Sequence, residues 1–145
     1  MGMYKHILLA TDLTDDNQVV MDKAAALSKL WDSTLSIIHV VEPLPSYGYA
    51  YIGGADIEAQ LLAEARTKIA SIGKAMGIAK NHQYVEVGPT KIEILRVAKD
   101  SRVDLIVLGS HGRHGLALLL GSTANAVLHG ADCDVLTVRL QEEAA

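Results

Sequence analysis

Short apolar segments alternate with longer segments of helical periodicity along this chain of 145 residues. The apolar segments predict five β-strands, at residues 4–11, 34–41, 84–87, 103–108 and 134–140. Helices are predicted between them, over residues 15–31, 56–76 and 92–99 and over a last segment that begins at Ala124. Because the strands are almost continuously apolar, we expect burial on both faces and therefore a parallel sheet covered by helices. Right-handed crossovers make such a sheet a doubly wound α/β fold with helices on both faces.

The composition limits the core and the partners. Half of the residues are hydrophobic, yet the chain has no Phe and one Trp, so the core is expected to consist of Leu, Ile, Val and Ala. The length predicts one domain over residues 1–145. A net charge of −4, with basic residues scattered along the chain, argues against a nucleic-acid partner.

Cysteine usage and hydropathy indicate the compartment. Cys133 is the one cysteine, so no internal disulfide can form, and we interpret it as a small, half-buried residue in a reducing compartment. The N-terminal segment lacks the apolar core of a signal peptide, and no apolar run approaches the ~20 residues that span a bilayer. We therefore expect a cytoplasmic protein that does not associate with a membrane.

Glycine, proline and tyrosine mark the connections between the predicted elements. Residues 42–54 hold two prolines and three glycines and predict a loop. The three tyrosines of this loop (Tyr47, Tyr49 and Tyr51) would suit a ligand lid or only a connector, and we favour the connector. Gly77 is predicted to end the second helix, and Pro89 to occupy an early helical position, where a missing N–H costs little.

A glycine-rich segment, residues 109–123, connects the fourth strand to the last helix. Gly109 and Gly112 permit a close approach of backbone to a ligand, and the Arg113 guanidinium can pair with a phosphate. Gly121, Ser122 and Thr123 would add hydroxyls and free N–H groups at the helix start, where anions are favoured. The segment is neither a Walker A motif nor G-x-G-x-x-G, so a flexible turn without a ligand remains the alternative.

Asp12 follows the first strand and is expected at the same edge of the sheet as the glycine-rich segment. Its carboxylate could accept hydrogen bonds from a ribose or an adenine amine, or help to hold a cation. The alternative, which the sequence alone favours, is that Asp12 caps or tightens the turn before the first helix.

The histidines and the remaining motifs predict no metal site and no catalytic residue. His111 and His114 lie close together, but no further ligand-type cluster stands near them at metal spacing. His6 and His39 fall within strands and are expected to be structural, whereas His82 and His129 are expected at the surface or at helix ends. Nucleophile-elbow and His-Glu-x-x-His signatures are absent from the sequence.

Taken together and in this order, the motifs resemble those of the universal stress protein family, in its single-domain bacterial A type. The matching segments are YKHILLATD at 4–12, LSIIHV at 35–40, VDLIVLGSHG at 103–112, GST at 121–123 and CDVLTVR at 133–139. The resemblance implies a Rossmann-like five-stranded parallel sheet of order 3-2-1-4-5. It also implies a homodimer, formed through the last strand at residues 134–140.

The resemblance further implies an adenine nucleotide, ATP or AMP with or without Mg²⁺. Ala10, Thr11 and Asp12 would lie near the base and ribose, and Val40 would pack on the adenine. Ribose and phosphates would be surrounded by Leu108, Gly109, Gly112, Gly121, Ser122 and Thr123. Arg113 is added to this set on its charge alone. Binding members separate Gly-x-x-Gly from Gly-[Ser/Thr] by nine residues, whereas here residues 113–120 make eight.

Three functions follow from the sequence. The first is a dimeric stress-response protein that binds an adenine nucleotide and acts in sensing or signalling. The second is a dimeric interaction module that binds no nucleotide, which the shortened spacing supports. The third, a slow ATPase, ranks last because no general base is placed near a γ-phosphate. The apolar residues Val135, Leu136, Val138 and Leu140 predict an open edge strand that dimerisation would cover.

Overall fold

The computed structural model describes residues 2–43, 54–110 and 121–140 of the chain. Its sheet has five parallel strands: β1 (His6–Ala10), β2 (Thr34–Val41), β3 (Gln83–Val87), β4 (Leu105–Gly109) and β5 (Asp134–Val138). The strand order is β3-β2-β1-β4-β5. Both the predicted α/β class and the order 3-2-1-4-5 are therefore confirmed.

Within the described residues, four α-helices connect the strands. They are α1 (Gln18–Trp31), α2 (Gly54–Met76), α3 (Thr90–Asp100) and α4 (Ser122–Gly130), and 3-10 turns cover Asp15–Asn17 and Lys80–His82. The prediction for Pro89 was wrong by one position. Pro89 has a ψ of 126°, which is extended backbone, so it stands just before α3 rather than inside its first turn.

The first and fourth strands begin two residues later than predicted, and Asp104 supplies the reason. Its two carboxylate oxygens accept the backbone N–H groups of Lys5 and His6, each at 2.9 Å. At the start of β1 and β4, these side-chain bonds take the place of backbone hydrogen bonds between the two strands. Regular pairing then runs from Ile7 with Leu105 to Leu9 with Val107.

Alternating side chains of the strands build a separate core on each face of the sheet. Ile7 and Leu9 of β1 are fully buried in one core, against α1 and α2. Leu8 and Ala10 belong to the other core, against α3 and α4. The helices thus lie two to a face, as a doubly wound sheet requires.

Three of the four helices end in a left-handed residue: Asp32 after α1, Gly77 after α2 and Arg102 after α3. In each case the next residue donates its N–H to a carbonyl five positions back, as at Val103 N to Ala98 O (2.9 Å). This is the Schellman arrangement. The prediction that Gly77 ends the second helix is confirmed.

Candidate functional site

The carboxyl ends of β1 and β4 lie side by side in the sheet, and we call the region above them the crevice. The chain leaves β1 toward α1 on one face, and it leaves β4 toward α4 on the other face. Because the two connections diverge to opposite faces, the carboxyl ends of β1 and β4 mark the switch point of the sheet. Such switch points are where open α/β sheets bind ligands.

Three of the predicted site residues form one apolar surface beside this crevice. Val40, Ala10 and Leu108 stand on the adjacent strands β2, β1 and β4 near their carboxyl ends, and all three point to the α3–α4 face. They are 7%, 6% and 4% exposed, and Ala124 of α4 packs in the same core. The structure therefore brings these side chains together as an apolar wall.

The turn after β1 is held by hydrogen bonds of Thr11 and Asp12. Thr11 Oγ1 accepts the N–H of Leu13 at 3.0 Å, and Leu13 has a φ of 63°. Asp12 Oδ1 accepts from the N–H of Thr14 (3.0 Å), the hydroxyl of Thr14 (2.6 Å) and the Asn17 side-chain amide (2.5 Å). Asp12 thus tightens the turn, which was the alternative that the sequence favoured.

The second carboxylate oxygen of Asp12 is available for a ligand. All the hydrogen bonds that Asp12 makes within the described part of the chain go to Oδ1. The side chain is half-buried at the crevice end of β1. One oxygen therefore organises the turn while Oδ2 keeps its lone pairs.

Asn17 is a site residue that the sequence analysis missed. Its side chain is 3% exposed, donates to Asp12 through Nδ2, and leaves Oδ1 buried without a hydrogen-bond partner. The available signal was its position, five residues after Asp12 at the start of a predicted helix. Asn17 fixes the Asp12 carboxylate, so it positions the group that faces the crevice.

Gly109 ends β4 in a position that only glycine fits without movement. A Cβ at this position would lie 2.9 Å from Leu140 Cδ1 and 3.5 Å from Val20 Cγ2. Both contacts belong to the α1–α2 face, so the absence of a side chain serves packing against Leu140. Close approach of backbone to a ligand is not needed to explain this glycine.

Ser110 anchors the connection that follows β4. Its N–H donates to Val138 O at 2.8 Å, and its Oγ accepts the N–H of Leu140 at 3.1 Å. Its carbonyl accepts the N–H of Gly121 at 2.6 Å. The Gly121 N–H is therefore not free, contrary to the expectation from the sequence.

The start of α4 presents open backbone donors. Gly121 precedes the helix with a φ of −65°, and as the N-cap residue it has no side chain that could cap the N-terminus. The N–H groups of Ser122 and Thr123 have no hydrogen-bond partner among residues 2–43, 54–110 and 121–140. Such donors, together with the helix dipole, favour an anion.

Several predicted features lie outside the described residues. They are Gly112 and Arg113 of the site, His111 and His114, and the three tyrosines Tyr47, Tyr49 and Tyr51. In the described ranges, no group of three His, Cys, Asp or Glu side chains could hold a metal ion. A helix long and apolar enough to cross a membrane is likewise absent from those ranges.

Two of the histidines share one buried serine at the other end of the sheet. Ser36 Oγ lies 2.6 Å from His6 Nε2 and 3.1 Å from His82 Nδ1, and Ser36 is fully buried. His6 Nδ1 is 3.0 Å from Ser101 O, so this nitrogen carries a proton and Nε2 accepts the Ser36 hydroxyl. Burial lowers the pKa of His6, and the nearby His82 adds to that effect. His6 is structural, as expected, and His82 is half-buried at the end of the 3-10 turn Lys80–His82, which agrees with the expected helix-end position.

The strand order and the helices on both faces define a doubly wound α/β protein whose switch point lies between β1 and β4. The family model described as the universal stress protein family matches residues 3–139. Universal stress protein A homolog 2 of Coxiella burnetii is 51% identical, over 97% of this chain and 99% of its own. The chain therefore belongs to the universal stress protein family.

Two solved structures show the same architecture. The universal stress protein UspA from Lactobacillus plantarum superposes with a TM-score of 0.83 at 22% identity, over 96% of this chain and 100% of that chain. A universal stress protein in complex with cAMP superposes with a TM-score of 0.62 at 27% identity, over 94% and 97% of the two chains.

Proposed function

We propose that this chain is a stress-response protein that binds an adenine nucleotide in the crevice between β1 and β4. The observation that carries the proposal is the apolar wall of Ala10, Val40 and Leu108, which lies on three adjacent strands beside the open end of α4. An apolar surface next to unpaired N–H donors suits a flat base joined to a phosphate. The similar protein in complex with cAMP supports an adenine ligand.

Each part of the nucleotide has a partner among the described residues. The adenine would rest against the wall, and the ribose hydroxyls would donate to Asp12 Oδ2. The phosphate would accept the N–H groups of Ser122 and Thr123. We propose ATP or AMP as the ligand, with Mg²⁺ accompanying ATP, and we assign a sensing or signalling role in the cytoplasm rather than catalysis.

The Asp12 contact is tested by exchanging one oxygen for an amide. Asp12→Asn keeps an Oδ1 acceptor for Thr14 and Asn17 while it replaces Oδ2 by a donor. We expect AMP and ATP affinities, measured by calorimetry on nucleotide-stripped protein, to fall about tenfold, the worth of one charge-assisted hydrogen bond. The control is Asp15→Asn, at an exposed acid of the neighbouring 3-10 turn. Equal affinities in all three proteins would remove Asp12 from the site.

The phosphate contact is tested by deleting a single N–H. Proline is tolerated at the first helical position, and the extended ψ of 158° at Gly121 suits a residue before proline. Ser122→Pro should therefore keep the fold and weaken nucleotide binding. Ser122→Ala retains the N–H and loses only the hydroxyl, so it separates the two donors. Wild-type affinity in Ser122→Pro would contradict the assignment.

A second function, a dimeric interaction module without nucleotide, is favoured by one specific observation. Gly109 is explained by its contact with Leu140, and the Gly121 N–H is already bonded to Ser110. Two of the glycines of the predicted cradle thus serve the fold. Calorimetry at millimolar AMP, ADP and ATP distinguishes the functions, because an interaction module would release no heat with any of them.

We propose dimerisation through the edge of β5 in either case. β5 ends the sheet, so one side of its backbone has no strand beside it in the single chain. Val138 of this strand is 7% exposed, whereas Val135, Leu136 and Thr137 are half-buried. Pairing would therefore use backbone groups of the open edge. Sedimentation at micromolar concentration tests this, and a monomeric mass would contradict it.

A further inference from the structure

A second concave site lies at the opposite end of the sheet from the crevice. It is a cavity of about 460 Å³ between α3, the start of β4 and the connection from α4 to β5. Arg102 and Val103 of its lining precede β4, and Asp132 and Cys133 precede β5, so it stands at the amino ends of the strands. Its volume falls within the range of about 300–1,000 Å³ that is typical of small-molecule sites.

The floor of this cavity is apolar and continuous with the core. Ala98, Val103 and Ile106 are 5%, 7% and 0% exposed and pack together under α3. Leu95 is half-buried on the wall, and Ile92 is 52% exposed at the mouth. An apolar group that enters the cavity therefore removes hydrophobic surface from water without displacing polar partners.

The rim of the cavity carries more positive than negative charge. Arg96 is ion-paired with three acids, which are Glu86, Glu93 and Asp100. Lys99 and Arg102 are exposed, and within the described ranges no carboxylate lies within ion-pairing distance of either. Asp132 is the acid that lines the same cavity. Two cations are thus left to receive an anion.

The backbone conformation at Arg102 is one that favours glycine over arginine. Arg102 has a φ of 56°, in the left-handed region where glycine is preferred. Asp32 occupies the equivalent position at the end of α1, with a φ of 51°. An arginine at such a helix end costs stability relative to glycine. The backbone conformation therefore does not explain why this position holds an arginine.

We propose that this cavity binds an amphipathic organic carboxylate. The apolar part of the ligand, an alkyl chain or an aromatic ring, would lie against Ala98, Val103 and Ile106. The carboxylate would lie at the rim, where the Arg102 guanidinium offers a planar pair of donors and Lys99 a point charge. The site is separate from the nucleotide crevice, so it does not rest on the function proposed above.

The test compares three probes of equal chain length on the full-length protein. Decanoate, decanol and decylamine are titrated by calorimetry. We expect decanoate to bind at least tenfold more tightly than decanol, and decylamine to bind more weakly than either, because the rim is cationic. No heat with decanoate, or equal affinities for decanoate and decanol, would overturn the proposal.

Two variants separate a binding role from a structural one. Lys99→Gln and Arg102→Gly should each weaken decanoate binding about tenfold. Arg102→Gly should at the same time raise the urea midpoint of unfolding, because glycine relieves the left-handed strain. Asp32→Gly is the matched control, and it should raise the midpoint and leave decanoate affinity unchanged. Wild-type decanoate affinity in Arg102→Gly would overturn the proposal.

Cys133 gives an independent readout of occupancy. It is the only cysteine of the chain and lines the cavity, and burial with nearby acids raises the pKa of its thiol. Decanoate should slow its modification by an uncharged thiol reagent, whereas AMP should not.

A contact between two copies of the chain is the alternative occupant of the cavity. If Ala131→Phe, which fills the cavity, changes the oligomeric mass, the cavity is a contact between copies and the proposal fails.

Discussion

The backbone N–H of Gly121 donates to the carbonyl oxygen of Ser110 at 2.6 Å. This bond joins the end of β4 to the residue before α4, so the glycine-rich segment begins and ends at one point beside the crevice. It also removes one of the N–H groups expected for a phosphate. The proposed phosphate contact therefore uses the N–H groups of Ser122 and Thr123.

Amide exchange should distinguish these N–H groups. We expect slow exchange at Gly121 in the free protein and fast exchange at Ser122 and Thr123, since the Gly121 N–H is bonded to Ser110 O and the other two have no partner among the described residues. Adding AMP should slow exchange at Ser122 and Thr123 alone, measured residue by residue by NMR. Unchanged exchange at both, with AMP bound, would place the phosphate elsewhere.

Gly109→Ala should destabilise the protein without any ligand present. The added Cβ would stand 2.9 Å from Leu140 Cδ1, so the buried end of Leu140 must move. We expect a loss of about 1 kcal/mol, the lower end for overpacking, because a side-chain terminus gives way more easily than backbone. Urea unfolding measures this loss.

The companion variant for Gly109 is Leu140→Ala. Combined with Gly109→Ala it should show a favourable coupling in a double-mutant cycle, because the clash is gone. If the stability losses of the two variants simply add, the clash at Gly109 involves a group other than Leu140.

Asp12→Ala and Asp12→Asn should differ in stability. Alanine leaves the buried Asn17 amide and two donors of Thr14 without an acceptor, which costs about 1–3 kcal/mol. Asparagine keeps an acceptor in place and should cost less than half of that. Denaturant unfolding of the two variants, with Asp15→Asn as an exposed control, gives the comparison. Equal losses would show that the Asp12 turn bonds do not stabilise the fold.

The His6–Ser36 pair predicts a loss of stability at mildly acidic pH. The folded pKa of His6 lies below its ordinary value of 6.5, mainly because of burial. A lowered histidine pKa means that the unfolded chain takes up the proton first. The His6 contribution is therefore fully present above pH 6.5 and is lost as the pH falls through the folded pKa.

The pH dependence is measured as the urea midpoint between about pH 7.5 and about pH 5. His6→Gln has no titrating ring and should show a flatter profile over this window. The ring of His82 lowers the pKa of His6, whereas the carboxylate of Asp104 raises it. The informative quantity is therefore the difference between the pH profiles of the wild type and His6→Gln. Parallel profiles would exclude His6 as the origin.

Gly77→Ala and Gly121→Ala should show where a glycine is needed for its backbone. Gly77 has a φ of 72° at the end of α2, so alanine there should cost about 1 kcal/mol although no atom crowds it. Gly121 has a φ of −65°, and alanine there loses only the modest advantage of glycine before a helix. A larger loss at Gly121 in urea unfolding would contradict this ranking.

The sequence by itself determined the elements and their class. Continuous apolar runs such as residues 34–41 identified the strands, and the observed β2 has the same bounds. The resemblance to the family added the strand order. Both rest on local information, because periodicity, turn residues and motif spacing depend on near neighbours in the chain. The starts of the first and fourth strands, predicted at Tyr4 and Val103, were wrong because Asp104 caps the start of β1 from 98 residues away.

Only the tertiary structure decided what the individual site residues do. Gly109 serves its contact with Leu140, Asp12 holds the turn after β1 through one carboxylate oxygen, and Ser36 joins two histidines. The cavity at Arg102 exists because the start of β4 lies beside the loop that leads into β5. These roles depend on which strands are neighbours and in which register, and a packed core sets that through contacts between residues far apart in the chain.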